Sequence, residues 1–279
     1  MNDPKPTSFE DNKPVDQAVA TLKPVGLPFV LSDEELARDK ILGGEMGVRD
    51  IAIPFLYVLQ SNSPQAMLEH PKYIPGATAT MLVLTNIEKV YEGKTVGLEF
   101  IPVYYERELV EWRDRNAGGG IVRSYDKDDP IQDKVKFDQE NKPRLPNGNL
   151  LVETAYHMIL VKRPDNGALT YTCMPLKSTA LKESRKLNNM VSDARIPGTE
   201  IVAPRFMYRY RITTMREQRD TQIWSNPRFQ QIGPVESREV YEHARKFAMA
   251  GAEALSRARE TEDPTMSNVG MGDNATNII

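Results

Sequence analysis

The sequence predicts an α+β, mainly β protein, an OB-like barrel with an inserted helix, a long C-terminal helix and disordered termini. Three observations carry that expectation. Strand-like runs recur from Val96 to Trp112, from Thr154 to Lys162 and from Arg205 to Thr213. A helical stretch from Ser178 to Val191 stands between the earlier strands and a final strand pair, which is the element order of such a barrel. The ends are polar and poor in aromatics, so they have little apolar surface to bury. The expected organisation is a flexible arm over 1–45, a single OB-like domain over 46–260 and a flexible tail over 261–279.

Within the arm, Ser32-Asp33-Glu34-Glu35 reads as a cap for a short helix from Glu34 to Leu42, which Gly43-Gly44 ends. Ile51 to Leu59 is an apolar run broken by Pro54, so it reads as an extended entry segment or edge strand. Met81 to Glu88 alternates as a strand, and Tyr91-Glu92-Gly93-Lys94 as a turn. In the long run to Trp112, Pro102 marks a bulge or an edge. Residues 115–150 contain Gly118-Gly119-Gly120, an acidic run from Asp126 to Asp129 and Pro146-Asn147-Gly148, and read as a long exposed excursion.

Thr154 to Lys162 and Ala168 to Met174 flank Pro164-Asp165-Asn166-Gly167, a hairpin signal. Ser178 or Thr179 is placed to cap the helix that follows. Arg205 to Thr213 pairs with Gln222 to Gln230. Gly233-Pro234 then opens a helix of about 25 residues with one small or apolar face.

Charge points to function. The chain has 36 Lys and Arg against 39 Asp and Glu, a net of −3. Residues 153–231 nevertheless carry 13 basic and 7 acidic side chains, with negative segments on either side. Interleaved with Tyr, Phe and Trp, that basic middle has the composition of a single-stranded nucleic-acid grip, and equally of the solvated side of an ordinary sheet. Lys182, Arg185, Lys186 and Asn189 fall at helical spacing and form one stripe, which Lys177 extends. Ala180, Ser184, Leu187 and Val191 form the face that packs on the sheet.

In Arg205-Phe206-Met207-Tyr208-Arg209-Tyr210-Arg211, alternation puts Phe206, Tyr208 and Tyr210 on one face and Arg205, Arg209 and Arg211 on the other. Either the aromatics fill the core and the arginines meet phosphate, or the aromatics stack on bases. Three adjacent aromatics favour the core. Tyr104, Tyr105 and Trp112, with Arg107 and Arg113, offer a second stacking platform beside the Gly-rich loop; core packing is the alternative for Trp112.

Catalytic motifs are missing. Gly118-Gly119-Gly120 runs into Ile121-Val122-Arg123 rather than a phosphate-loop GK[ST], and there is no HExxH or nucleophile elbow. One cysteine and three scattered histidines argue against structural zinc and internal disulfides, and for a reducing cytosol. The expectation is a non-enzymatic protein with no cofactor, no metal and no membrane association.

Several phrases carry a resemblance. They are Ile53-Pro54-Phe55-Leu56 with Ser63-Pro64, Phe100-Ile101-Pro102-Val103-Tyr104-Tyr105-Glu106-Arg107, Val110-Glu111-Trp112-Arg113, Arg144-Leu145-Pro146-Asn147-Gly148-Asn149, and Met174-Pro175-Leu176-Lys177-Ser178-Thr179-Ala180-Leu181-Lys182. Together, over about residues 45–250, they resemble a family of tailed-phage single-stranded DNA-binding proteins. The resemblance implies an OB-like protein that coats phage single strands in replication or recombination, in the host cytoplasm, with single-stranded DNA and phage replication or recombination proteins as partners. It brings no active-site residue. The chain departs from replication-type relatives in ending Gly272-Asp273-Asn274-Ala275-Thr276-Asn277-Ile278-Ile279, not in an acidic tail; Glu260, Glu262 and Asp263 are a weak substitute. A strand-annealing mediator needs the same surface plus oligomerisation, for which Ala244, Ala248, Ala250, Gly251, Ala252 and Ala254 offer a small-residue face. A virion or scaffold protein needs neither.

Overall fold

The computed structural model describes residues 32, 34, 52–114, 119–139, 142–219, 221–260 and 262. The chain divides into two compact units, 1–45 and 46–279. The expected arm and its helix Glu34–Leu42 lie outside the described residues apart from Ser32 and Glu34, and the expected tail apart from Glu262.

Two antiparallel sheets organise the second unit. The smaller joins β1 (Leu56–Val58), β2 (Leu82–Leu84) and β3 (Lys89–Tyr91) in sequence order. The larger has eight strands: β4 (Leu98–Trp112), β5 (Ile121–Asp126), β6 (Lys136–Phe137), β7 (Pro143–Arg144), β8 (Leu150–Lys162), β9 (Leu169–Lys177), β10 (Tyr208–Arg219) and β11 (Gln222–Pro234). Its order is β11-β10-β4-β8-β7-β6, with β5 on β4 and β9 on β8. The result is a mostly-β, curled antiparallel half-barrel with few helices.

The centre of the sheet follows from β8, whose side chains are apolar on both faces. Tyr156, Met158 and Leu160 enter one core cluster, while Ala155, Ile159 and Val161 enter a second. A strand buried on both sides packs with a near-continuous apolar run. Helix α1 (Leu181–Asp193) covers the second cluster through Leu187 and Val191. Helices α2 (Arg238–Met249) and α3 (Gly251–Glu260) cover the first through Ala244, Ala254 and Leu255.

Several expectations hold in detail. The 163–168 turn joins β8 to β9, the helix follows β9, and β10 pairs with β11 along twelve registered positions from Tyr208↔Pro234 to Arg219↔Gln222. The β4–β8 register slips between Pro102 and Tyr104, the bulge that Pro102 marks.

Others are corrected. Met81–Glu88 is not one strand: β2 ends at Leu84 and a 3-10 turn follows over Thr85–Ile87. Neither Ser178 nor Thr179 caps α1, because a 3-10 turn over Ser178–Ala180 precedes it and the Thr179 hydroxyl donates to Asn226 instead. Gly233-Pro234 opens no helix, since both pair with β10 as the end of β11. The Ser237 hydroxyl caps α2 by accepting from the Val240 N–H. The single long C-terminal helix is two, broken at Ala250.

The described parts of 115–150 are also ordered. Ile121–Asp126 pairs with β4, and β6 pairs with β7. Leu109, Leu145 and Leu151 form a small apolar cluster beneath them. The Glu111 carboxylate accepts from Tyr125, Asn147 and Asn149, and Arg144 bridges Asp114 and Asp138.

Candidate nucleic-acid interface

The stacking platform expected at Tyr104, Tyr105 and Trp112 does not form. Trp112 is wholly buried in the first core cluster. Tyr104 lies on the same side, its ring against Gly251 and its hydroxyl donating to Glu106 at 2.7 Å. Tyr105 faces the second cluster, between the His157 ring (4.9 Å) and the Arg205 guanidinium (5.4 Å). The three aromatics therefore pack on opposite faces of one strand.

Lys177 is corrected in the same way. It does not extend a basic surface: its side chain is 9% exposed, its Nζ sits 4.3 Å above the Trp112 ring and it pairs with Glu262 at 3.0 Å. Burial pushes the Lys177 ammonium down, while Glu262 pushes it up. Glu262 also accepts from the hydroxyls of Tyr57 and Tyr156, so the expected acidic tail residue is a core anchor.

Arg205 leaves the strand face expected for it, because Arg205–Met207 is a 3-10 turn. Its guanidinium, largely buried, donates to Asn188 of α1. Tyr208 and Tyr210 pack on the second core cluster, the inward arrangement favoured for them, while Phe206, in the 3-10 turn, leaves their face and packs on the first. Arg209 and Arg211 do share the opposite face, but both pair with Glu99, and Arg209 also with Glu236. Arg107 pairs with Glu153 at 3.3 Å, and Arg113 is exposed beyond the end of β4.

Lys182, Arg185 and Lys186 are brought together as expected, on the outer side of α1. The structure adds what the spacing could not show: α1 packs along β11, and the seam is built on two carboxylates. Glu217 of β10 accepts from Lys182 Nζ (3.0 Å), Trp224 Nε1 (3.1 Å), Asn226 Nδ2 (2.8 Å) and Arg228. Burial pushes the Glu217 carboxyl up, but its bonds from Arg228, Lys182 and Asn226 outweigh that and hold it at about 2. Glu183, buried on α1, pairs with Arg228 (2.9 Å) and Lys186 (3.0 Å).

Three cations thus meet two carboxylates on this seam, and Arg185 adds a fourth, leaving an excess of positive charge at the surface. Lys182 and Lys186 keep 39% and 62% of their side chains exposed, and Arg228 keeps 27%. Arg185 is exposed between them. The half-buried Trp224 ring lies beside them, flanked along the hairpin by exposed Met215, Arg216 and Ile223.

Sequence reasoning missed Trp224, Arg228 and Glu217. A signal existed: Trp224, Asn226 and Arg228 share one parity of a strand adjoining the basic helix. What alternation could not supply was that the Glu217↔Trp224 register brings Glu217 onto the same face.

The model of the Pam3 phage gp34-like protein family matches residues 31–253, which take in every described strand. No curated protein and no solved structure matches the chain.

Proposed function

The chain belongs to the Pam3 phage gp34-like protein family, a phage-associated family, and from that premise we propose that it binds single-stranded DNA as a non-enzymatic, OB-like phage protein. The observation that carries the reading is the α1–β11 seam, where Lys182, Arg185, Lys186 and Arg228 exceed Glu183 and Glu217 beside the accessible Trp224 ring. Phosphates meet the cations, and a base stacks on Trp224, a contact worth about 1–3 kcal/mol. The carboxylates hold the cations in place and lower the net charge, so the grip is moderate and salt-sensitive.

The strand-annealing alternative needs subunits to pack, and much of the small-residue face expected to serve that purpose is used within the chain. Ala244, Gly251 and Ala254 are buried against the sheet, with Gly251 on the Tyr104 ring. The reading therefore stays with binding to the strand, in replication or recombination.

The test is fluorescence anisotropy with labelled oligo-dT, with duplex DNA and RNA as competitors. Single-strand-selective binding that Trp224→Ala weakens about 10-fold supports the proposal. Absence of binding at low salt overturns it and leaves a virion or scaffold role.

A further inference from the structure

A second feature lies away from the seam, in the N-terminal part of the folded unit. A cavity of about 350 Å³ opens among Phe55, Tyr57, Gln65, Lys72, Tyr73 and Glu88, among others. That volume falls within the range of small-molecule sites. The Phe55 and Tyr57 rings, both nearly buried, stack with centroids 5.7 Å apart and planes 12° from parallel along its lining.

One further observation marks the cavity as a site. Gln65 is 6% exposed, and its Oε1 is buried with no hydrogen-bond partner. A buried carboxamide oxygen without a donor is unfavourable and rare in folded proteins, unless a ligand supplies one.

The chemistry of the lining selects the ligand. One cation and one anion, Lys72 and Glu88, favour neither a bare anion nor a bare cation. The aromatic lining favours a flat ring, and the Gln65 oxygen calls for an N–H donor on its edge. We infer that the cavity is a nucleobase pocket, and that it takes a base with an N–H donor on its edge, presented to Gln65. The base is either one unit of a bound strand or part of a free nucleotide. The inference does not rest on the α1–β11 seam.

The test is calorimetric titration of the full chain with dCMP, dTMP and N3-methyl-dTMP, for the native protein and Gln65→Leu. The pocket predicts dCMP and dTMP at least about 10-fold tighter than N3-methyl-dTMP, whose base has no N–H donor. In Gln65→Leu, which removes an unpaired polar atom, that preference disappears. As a check that needs no variant, dCMP shifts the Gln65 side-chain amide resonances of the native protein. Absence of binding by all three nucleotides, an unchanged preference in Gln65→Leu, or unmoved Gln65 resonances overturns the inference. Competition of oligo-dC with dCMP assigns the pocket to a base of the strand, and binding of dCMP without that competition assigns it to free nucleotides. Failure of oligo-dT to bind removes the seam proposal and leaves this one standing.

Discussion

Gly251 has no side chain because the Tyr104 ring occupies the space where a Cβ would stand. The clash falls on the root of a half-buried ring, so neither partner relaxes freely. Gly251→Ala is expected to lose about 1–3 kcal/mol of stability, read as a lower urea midpoint; an unchanged midpoint would show that α3 docks loosely. His157 makes a different kind of prediction. It is fully buried, its Nε2 lies 2.8 Å from Ser184 Oγ, and the Tyr105 ring packs on it at a tilt of 49°. Burial, with Arg205 nearby, pushes the imidazole from 6.5 down to about 3. Above pH 6.5 both folded and unfolded states are neutral there, and the group adds no pH dependence. Below 6.5 the unfolded chain takes up a proton that the native chain refuses, so stability falls by up to about 1.4 kcal/mol per pH unit. Between pH 7 and 5, His157→Gln should show a shallower fall in stability than the native protein, and parallel curves would mean that His157 is hydrated or charged in the fold.

At the scale of elements, the C-terminal helices are held by buried polar anchors. Arg259 pairs with Glu108 at 2.7 Å and with Glu106, over the Tyr156 ring, and Glu262 receives Lys177, Tyr57 and Tyr156. Breaking one side of a buried ion pair strands a charge, so Glu262→Gln is expected to cost about 3–5 kcal/mol. Lys177→Met together with Glu262→Gln should recover part of that loss, and equal loss in the single and double variants would rule out the stranded-charge account. These anchors explain what could be read in the sequence and what could not. The β4, β8–β9, α1 and β10–β11 elements were legible because each carries its own periodicity and turn residues. The roles of Lys177, Trp112 and Arg205 were not, because a lysine or tryptophan has the same local pattern whether it faces water or a distant buried glutamate. The 115–150 segment was misread for a related reason. Its strands are short, and their stability comes from pairing with β4 and β8 and from the Glu111 and Arg144 networks, which join residues far apart in sequence.

For the whole molecule, the basic middle of the sequence does not become one basic face. Glu99, Glu236 and Glu262, from other segments, neutralise part of it. What survives is the local excess on the α1–β11 seam, with Trp224 in place of Trp112 as the accessible indole. The description of the family as phage-associated fits a nucleic-acid role without specifying one. A seam of four cations predicts a salt dependence of limited steepness, since each phosphate contacted contributes about −0.7 to the log–log slope on a single strand. The most direct test is the affinity for labelled oligo-dT across a salt series, for the native chain and for Lys182→Ala with Arg185→Ala and Lys186→Ala combined. The account predicts a slope of about −2 to −3 in the native chain, with most of the slope and of the affinity lost in the triple variant. A flat salt response, or full affinity in the triple variant, would contradict it.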